Sequence, residues 1–288
     1  MTGTGTTASA TATARRMWRL LEAVHSVTYF TSEARAASEE AGLRGFWRGY
    51  FACRAAPLGA VGPAPVTAAF FSFAPGMVAR ALPGVWQLAS PEAALAVRER
   101  GAGAALRRLL AGHEAAAEEA AALLRPVSGG LDIAGRVLAA ANAALPSPSD
   151  PLHELWHHAT LLREHRGDGH VAALVAADLD GCEALVLRSG IDLPRGELQP
   201  HRGWTDDEWA AARARLTARG LLGTDGSATD DGRAARRSLE AATDLAAARP
   251  WSALPADALD RLLAVLSPAA HACAAALPYP NATGAPAP

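Results

Sequence analysis

The chain has 288 residues, a net charge of −2 and hydrophobic side chains at half its positions. It is long enough for two domains that each bury a core. It is too nearly neutral for a bulk field to draw it to phosphate backbones or anionic lipid, and it lacks the run of roughly 18 apolar residues that spans a bilayer. All 27 basic residues are Arg, so a high Arg count reflects the absence of Lys and is not a nucleic-acid signal. Cys53, Cys182 and Cys273 are odd in number and far apart, with no C-x-x-C spacing, which argues against a disulfide framework or a thiolate metal site. Residues 1–14 have neither a cationic start nor an apolar stretch, so a disordered tail and a cytoplasmic location are expected. A second disordered tail is expected over 279–288, where Asn281-Ala-Thr283 fits a glycosylation acceptor that has no meaning without export.

Residues 15–30 place Met17, Leu20, Val24 and Val27 on one stripe and Trp18, Leu21, His25 and Tyr29 on the next, which predicts a helix. Thr31 caps a second helix through about Gly42, and a third runs over 43–55 until Pro57 stops it. Two short apolar segments follow, 65–73 and 74–82. Ser90-Pro91 then opens a long Ala-rich helix as N-cap and first helical residue. Residues 125–150 hold another Ala-rich helix and the linker Leu145-Pro-Ser-Pro-Ser-Asp150. Asp150-Pro151 starts a helix to about His165, Arg166-Gly-Asp-Gly169 is expected to break it, and a further helix covers 170–177. A helix over 181–187 is followed by the capping box Thr205-Asp-Asp-Glu208, which opens one to Arg219 with Trp209, Ala212 and Leu216 buried. Asp225-Gly226 signals a hairpin turn, and Thr229 caps a long helix toward Arg249.

Ala41-Gly-Leu-Arg-Gly-Phe46 returns as Ala177-Asp-Leu-Asp-Gly-Cys182, and the same offset brings Gly84-Val-Trp86 onto Gly220-Leu-Leu222. One module used twice is therefore expected. The expected fold is mainly α, with two tandem winged-helix-like modules, 15–145 and 150–278, packed as a pseudo-dimer with short β wings. A monomer is compatible with that arrangement.

Residues 204–245, with Arg219-Gly-Leu-Leu222 and Thr229-Asp-Asp-Gly232, resemble the recognition helix, wing and dimerisation helix of MarR-type winged-helix proteins. His25-Ser-Val-Thr-Tyr-Phe30, Gly42-Leu-Arg-Gly-Phe-Trp-Arg-Gly-Tyr-Phe51, Arg54-Ala-Ala-Pro-Leu-Gly59 and Leu162-Arg-Glu-His-Arg-Gly-Asp-Gly-His170 resemble an actinobacterial helix-turn-helix-like family of unassigned activity. The likeness spans most of 15–255 and implies a fold without a reaction.

DNA binding is the first function such a fold suggests. Groove-reading helices present basic or amide side chains at their first turn, whereas this one presents Asp206, Asp207 and Glu208, which disfavours a transcriptional regulator. His153-Glu-Leu-Trp-His157 matches H-E-x-x-H, the zinc-binding pattern. However, His153, His157, Thr160 and Glu164 read as a polar stripe offered to solvent, and no third ligand is evident: Glu183 lies at a plausible separation, but the Gly-Asp-Gly break leaves its direction unfixed. No metal is favoured and no cofactor is indicated; a set of His165, His170 and Asp168 has no stronger support. More informative are His25 and Tyr29, one turn apart on a buried stripe, and the repeat Leu43, Trp47, Tyr50 and Arg54, which puts a guanidinium beside two rings. A partly buried Arg requires an anion or a ring face, and Asp168 or a ligand carboxylate is expected to supply the anion.

The expected function is binding of a small molecule at the seam between modules, with Trp47, Tyr50, Arg54, His165 and Asp168 as ligand contacts. One alternative is an enzyme performing acid–base chemistry on an aromatic or carboxylated metabolite, with His25, Tyr29 and His170 as catalytic candidates. The other is the DNA-binding regulator.

Overall fold

The computed structural model describes residues 3–279 and 287–288. Among them the chain is helical with no strand. In the first half the helices are α1 (Gly3–Phe30), α2 (Ser32–Glu40), α3 (Phe46–Ala55), α4 (Pro63–Phe70), α5 (Pro75–Ala81), α6 (Pro91–Leu109), α7 (Glu114–Gly129) and α8 (Val137–Ala143). The second half holds α9 (Pro151–Ala176), α10 (Gly181–Ser189), α11 (Arg195–Leu198), α12 (Asp206–Ala218), α13 (Asp230–Ala248) and α14 (Ala256–Ala274). The starts follow local chemistry. Thr31, Ser90, Asp150 and Thr229 each accept a hydrogen bond from the first turn of α2, α6, α9 and α13, while Asp180–Glu183 and Thr205–Glu208 form reciprocal capping boxes on α10 and α12.

Six helices, α1, α6, α7, α9, α13 and α14, make a central bundle around Met17, Leu21, Val24, Leu106, Leu124, Leu155, Leu162, Leu262 and Leu266. Burying each such Leu contributes on the order of 2 kcal/mol. Two smaller cores flank the bundle. One is aromatic, with Tyr50, Phe51, Phe70 and Phe73 from the α3–α5 region; the other gathers Leu179, Leu187, Trp209, Leu216 and Leu239 around α10, α12 and α13. Packing crosses between halves: α7 lies on α9, α14 lies on α1, and α1 and α9 pack together, as do α7 and α14.

Four expectations are corrected. The reading of 1–14 as a disordered tail gives way to α1 beginning at Gly3, because the Ala/Thr run continues the helical pitch and packs Ala10 and Ala14 on the central core. Residues 1–2 and 280–286 lie outside the described residues. Arg166-Gly-Asp-Gly169 does not break α9. Helices α1, α6, α7, α8 and α13 all contact α9, and a Cβ on Gly169 would sit 2.7 Å from an Arg136 nitrogen and 3.0 Å from the Ala246 methyl. That glycine marks a close approach, and tertiary packing outweighs its helix cost of roughly 1 kcal/mol. Surrounded on all sides, α9 also buries the stripe that was expected to face water, with Thr160 and Glu164 each 1% exposed. The β wings reduce to a single bridge between Leu222 and Ala228 across the Asp225–Gly226 turn. The backbone N–H of Ala228 donates instead to the Gly190 carbonyl at 3.0 Å, so no ladder extends beyond that bridge.

Candidate functional site

Where α1, α3 and α9 meet, a polar network is buried inside the protein. The bidentate pair between Arg54 and Glu164 anchors it, with Arg54 Nε donating to Oε1 at 3.1 Å and Nη2 to Oε2 at 3.0 Å. Arg163 donates to Glu164 at 2.8 Å and to Glu22 at 3.3 Å. The Tyr50 hydroxyl accepts from Arg54 at 3.1 Å, and the Arg54 guanidinium lies 4.1 Å from the centre of the Phe70 ring. Burial alone would raise the Glu164 carboxyl, but Arg163 and Arg54 hold it well below the usual carboxylate range. Asp168, expected to serve Arg54, instead accepts from the Ala139 backbone N–H at 2.8 Å and caps α8. Burial pushes its carboxyl up to about 6 against that hydrogen bond.

His25 is 1% exposed, and both ring nitrogens are engaged: Nδ1 pairs with the Thr160 hydroxyl at 3.0 Å and Nε2 with the Tyr29 hydroxyl at 3.1 Å. Burial, reinforced by Arg163, holds the imidazole neutral, well below its ordinary value. Desolvation likewise pulls His165 down to about 4, and its ring lies in a small crevice beside Trp18 and Arg166. Trp47 packs on Phe46, Tyr50 and Phe73 in the aromatic core. The H-E-x-x-H residues diverge. His153 pairs with Glu99, Glu154 with Arg125 and His158, and Glu183 belongs to the α10 capping box. Among the described residues, no group of three or more His, Cys, Asp or Glu side chains is placed to hold a metal ion.

The two halves enclose a cleft of about 510 Å³ beside this network, within the range of roughly 300–1,000 Å³ usual for small-molecule sites. Of the sequence-derived candidates it contains Tyr50, Arg54 and His170, while His25, Tyr29, Trp47, His165 and Asp168 are not in its wall. Burial pulls His170 down to about 4, and its Nδ1 pairs with the Thr243 hydroxyl at 2.9 Å. Eight guanidiniums line the cleft: Arg15, Arg19, Arg54, Arg163, Arg166, Arg188, Arg202 and Arg236. Most face carboxylates of the protein itself, Glu22, Glu164, Asp192, Glu240 and Asp244. Phe70, Phe71, Phe73, Leu174, Leu179 and Leu239 supply apolar wall.

Sequence reasoning missed Arg202, Arg163 and the Phe70–Phe73 lip. Arg202 sits in a short irregular segment with no periodicity to mark it. Phe71 carries a signal visible only in the backbone: its φ of 52° is rare for a non-glycine residue and costs on the order of 1–3 kcal/mol, a kind of strain that clusters at functional sites. The segment is locked from the other half, with Trp204 Nε1 donating to the Ser72 carbonyl at 2.9 Å and Ala74 N–H to the Arg202 carbonyl at 2.8 Å.

No helix among the described residues is long and apolar enough to cross a membrane. No curated protein and no solved structure gives a significant match to the chain. A helix-turn-helix family model matches residues 14–280, nearly the whole sequence, and the chain belongs to that family.

Proposed function

We propose that the chain is a cytoplasmic small-molecule-binding protein on a degenerate, MarR-like winged-helix scaffold, with its two halves arranged as a pseudo-dimer and the ligand held in the cleft between them. The observation carrying this reading is the cleft itself: both halves contribute to it, and it joins a strained aromatic lip to a wall of guanidiniums. The pseudo-dimer is supported by reciprocal packing, since α7 lies on the first helix of the other half as α14 lies on α1. DNA binding is disfavoured by the first turn of α12, where Asp206, Asp207 and Glu208 would repel phosphate. Farther along that helix Arg213 and Arg215 are already held, by the Thr224 carbonyl and by Asp180 and Glu183, as is Arg219 just beyond its end, by Asp178.

An enzymatic role keeps one foothold, His170, the cleft's sole imidazole among the described residues. A base near pH 4 is poorly matched to proton abstraction at neutral pH, which favours binding over catalysis.

Native mass spectrometry of the protein isolated from its own host tests the reading. A retained organic compound that is lost in Ala184→Trp, which fills the cleft from α10, is the expected result. Salt-sensitive binding to duplex DNA at low ionic strength, with no retained compound, would overturn it.

A further inference from the structure

One guanidinium in the cleft differs from the rest. Arg202 is 7% exposed, yet among the described residues no carboxylate lies within ion-pair distance of it. Its contacts are the Ser72 hydroxyl, which accepts from Nε at 3.3 Å, the His201 carbonyl at 3.1 Å, and the face of Phe73, whose centre lies 4.6 Å away. Burial pulls the group down to about 10, against the opposing influence of Tyr50, and the nearby cations Arg54, Arg188 and Arg163 add to the lowering. A buried charge without a counter-ion is costly, and proteins ordinarily pair it. The chain does pair its other buried cleft arginines, Arg54, Arg163 and Arg166.

The position of Arg202 is built. The Arg202 carbonyl holds Ala74, and Gly203, with φ of 76°, lets the segment lie against Met77. The Ser72 hydroxyl, having accepted from Arg202, keeps its proton to donate. Beyond this pair the wall turns apolar, through Phe71, Leu174, Leu179, Leu185, Leu198 and Leu239. Arg19, the other cleft guanidinium outside the ion pairs among the described residues, is exposed to solvent, so one buried uncompensated cation, one hydroxyl donor and a greasy channel match a single negative charge on an apolar body. A phosphate dianion would need a second free guanidinium beside Arg202, and the cations around it, Arg54, Arg163 and Arg188, already face carboxylates.

Resting on the cleft reading above, we propose that the ligand is an amphipathic carboxylic acid. Its carboxylate takes the Arg202 guanidinium and the Ser72 hydroxyl, and its aryl or alkyl body lies along Phe71, Leu179 and Leu239. Arg202 is the specificity determinant for the acid, and Ser72 is its helper.

The test is isothermal titration calorimetry of the full chain with 4-phenylbutyrate, decanoate, 4-phenylbutyramide and inorganic phosphate. Charge-assisted hydrogen bonds set the expected scale. At least one acid binds, and the amide binds at least about tenfold more weakly than its parent acid. Arg202→Met lowers acid affinity to the amide's level and leaves amide affinity unchanged, a selectivity that a purely structural role would not produce. Ser72→Ala gives a smaller loss of the same kind. Because Arg202→Met removes an unpaired buried charge, the ligand-free variant stays folded, as far-ultraviolet circular dichroism checks. Equal binding of acid and amide, acid binding undiminished in Arg202→Met, tighter binding of phosphate than of either acid, or no binding of either acid would each overturn the carboxylate assignment. The cleft reading fails separately, when Ala184→Trp leaves intact whatever binding is seen.

Discussion

Replacing Glu164 with Ala leaves two guanidiniums, Arg54 and Arg163, facing each other inside the protein with their shared anion gone. Glu164 accepts three charge-assisted hydrogen bonds at 2.8–3.1 Å and is 1% exposed. Breaking a buried pair by removing one partner costs about 3–5 kcal/mol. For a chain of this size that lowers the melting temperature by on the order of 10 °C. Urea denaturation followed by circular dichroism measures the loss, and a companion double variant, Arg54→Met with Glu164→Leu, separates charge from packing. With both charges gone, most of the lost stability should return. The pH profile supplies a further check. Because the folded carboxyl lies below its unfolded value, its contribution is fully present above about pH 4.5 and falls away as acid protonates the unfolded chain. Glu164→Gln should therefore show a flatter stability curve than the parent below pH 5. A loss under about 1 kcal/mol in Glu164→Ala, or parallel acid limbs for parent and Glu164→Gln, would refute the buried network.

Two further outcomes follow from the geometry. A methyl at Gly181 would overlap the Phe71 carbonyl, so Gly181→Ala should destabilise by roughly 1–3 kcal/mol, measured by urea midpoint, and should weaken ligand retention because the lip moves. Asp168 has a folded value raised to about 6, so its contribution is present at low pH and is lost as pH rises through that value. Asp168→Asn, which can still accept from Ala139, should abolish this loss between pH 4 and 7 in thermal melts.

Helix starts were legible because capping is local: Ser90, Asp150 and Thr205 each act within three residues. The continuity of α9 was not, because glycine looks the same in sequence whether it frees a turn or makes room for Arg136. The wing was legible as a turn at Asp225–Gly226 and illegible as strands, since its partner on one side is Gly190, well outside the segment. At the site, the need of Arg54 for an anion followed from the ring-bearing stripe it shares. Which carboxylate answers depends on the path of a helix 110 residues away, and Glu164 escapes consideration because its stripe reads as facing solvent. Arg202 offered no pattern, since its burial arises only when the second half closes over the Phe70–Phe73 lip.

The exchange of α7 and α14 between halves has a consequence for synthesis. When the ribosome has released residues only as far as α8, Leu124 and its neighbours have no α9 to cover them, and α1 waits still longer for α14. The nascent first half is therefore a sticky intermediate, and a cut at the 145–150 junction should yield two fragments that persist only as a reassembled pair.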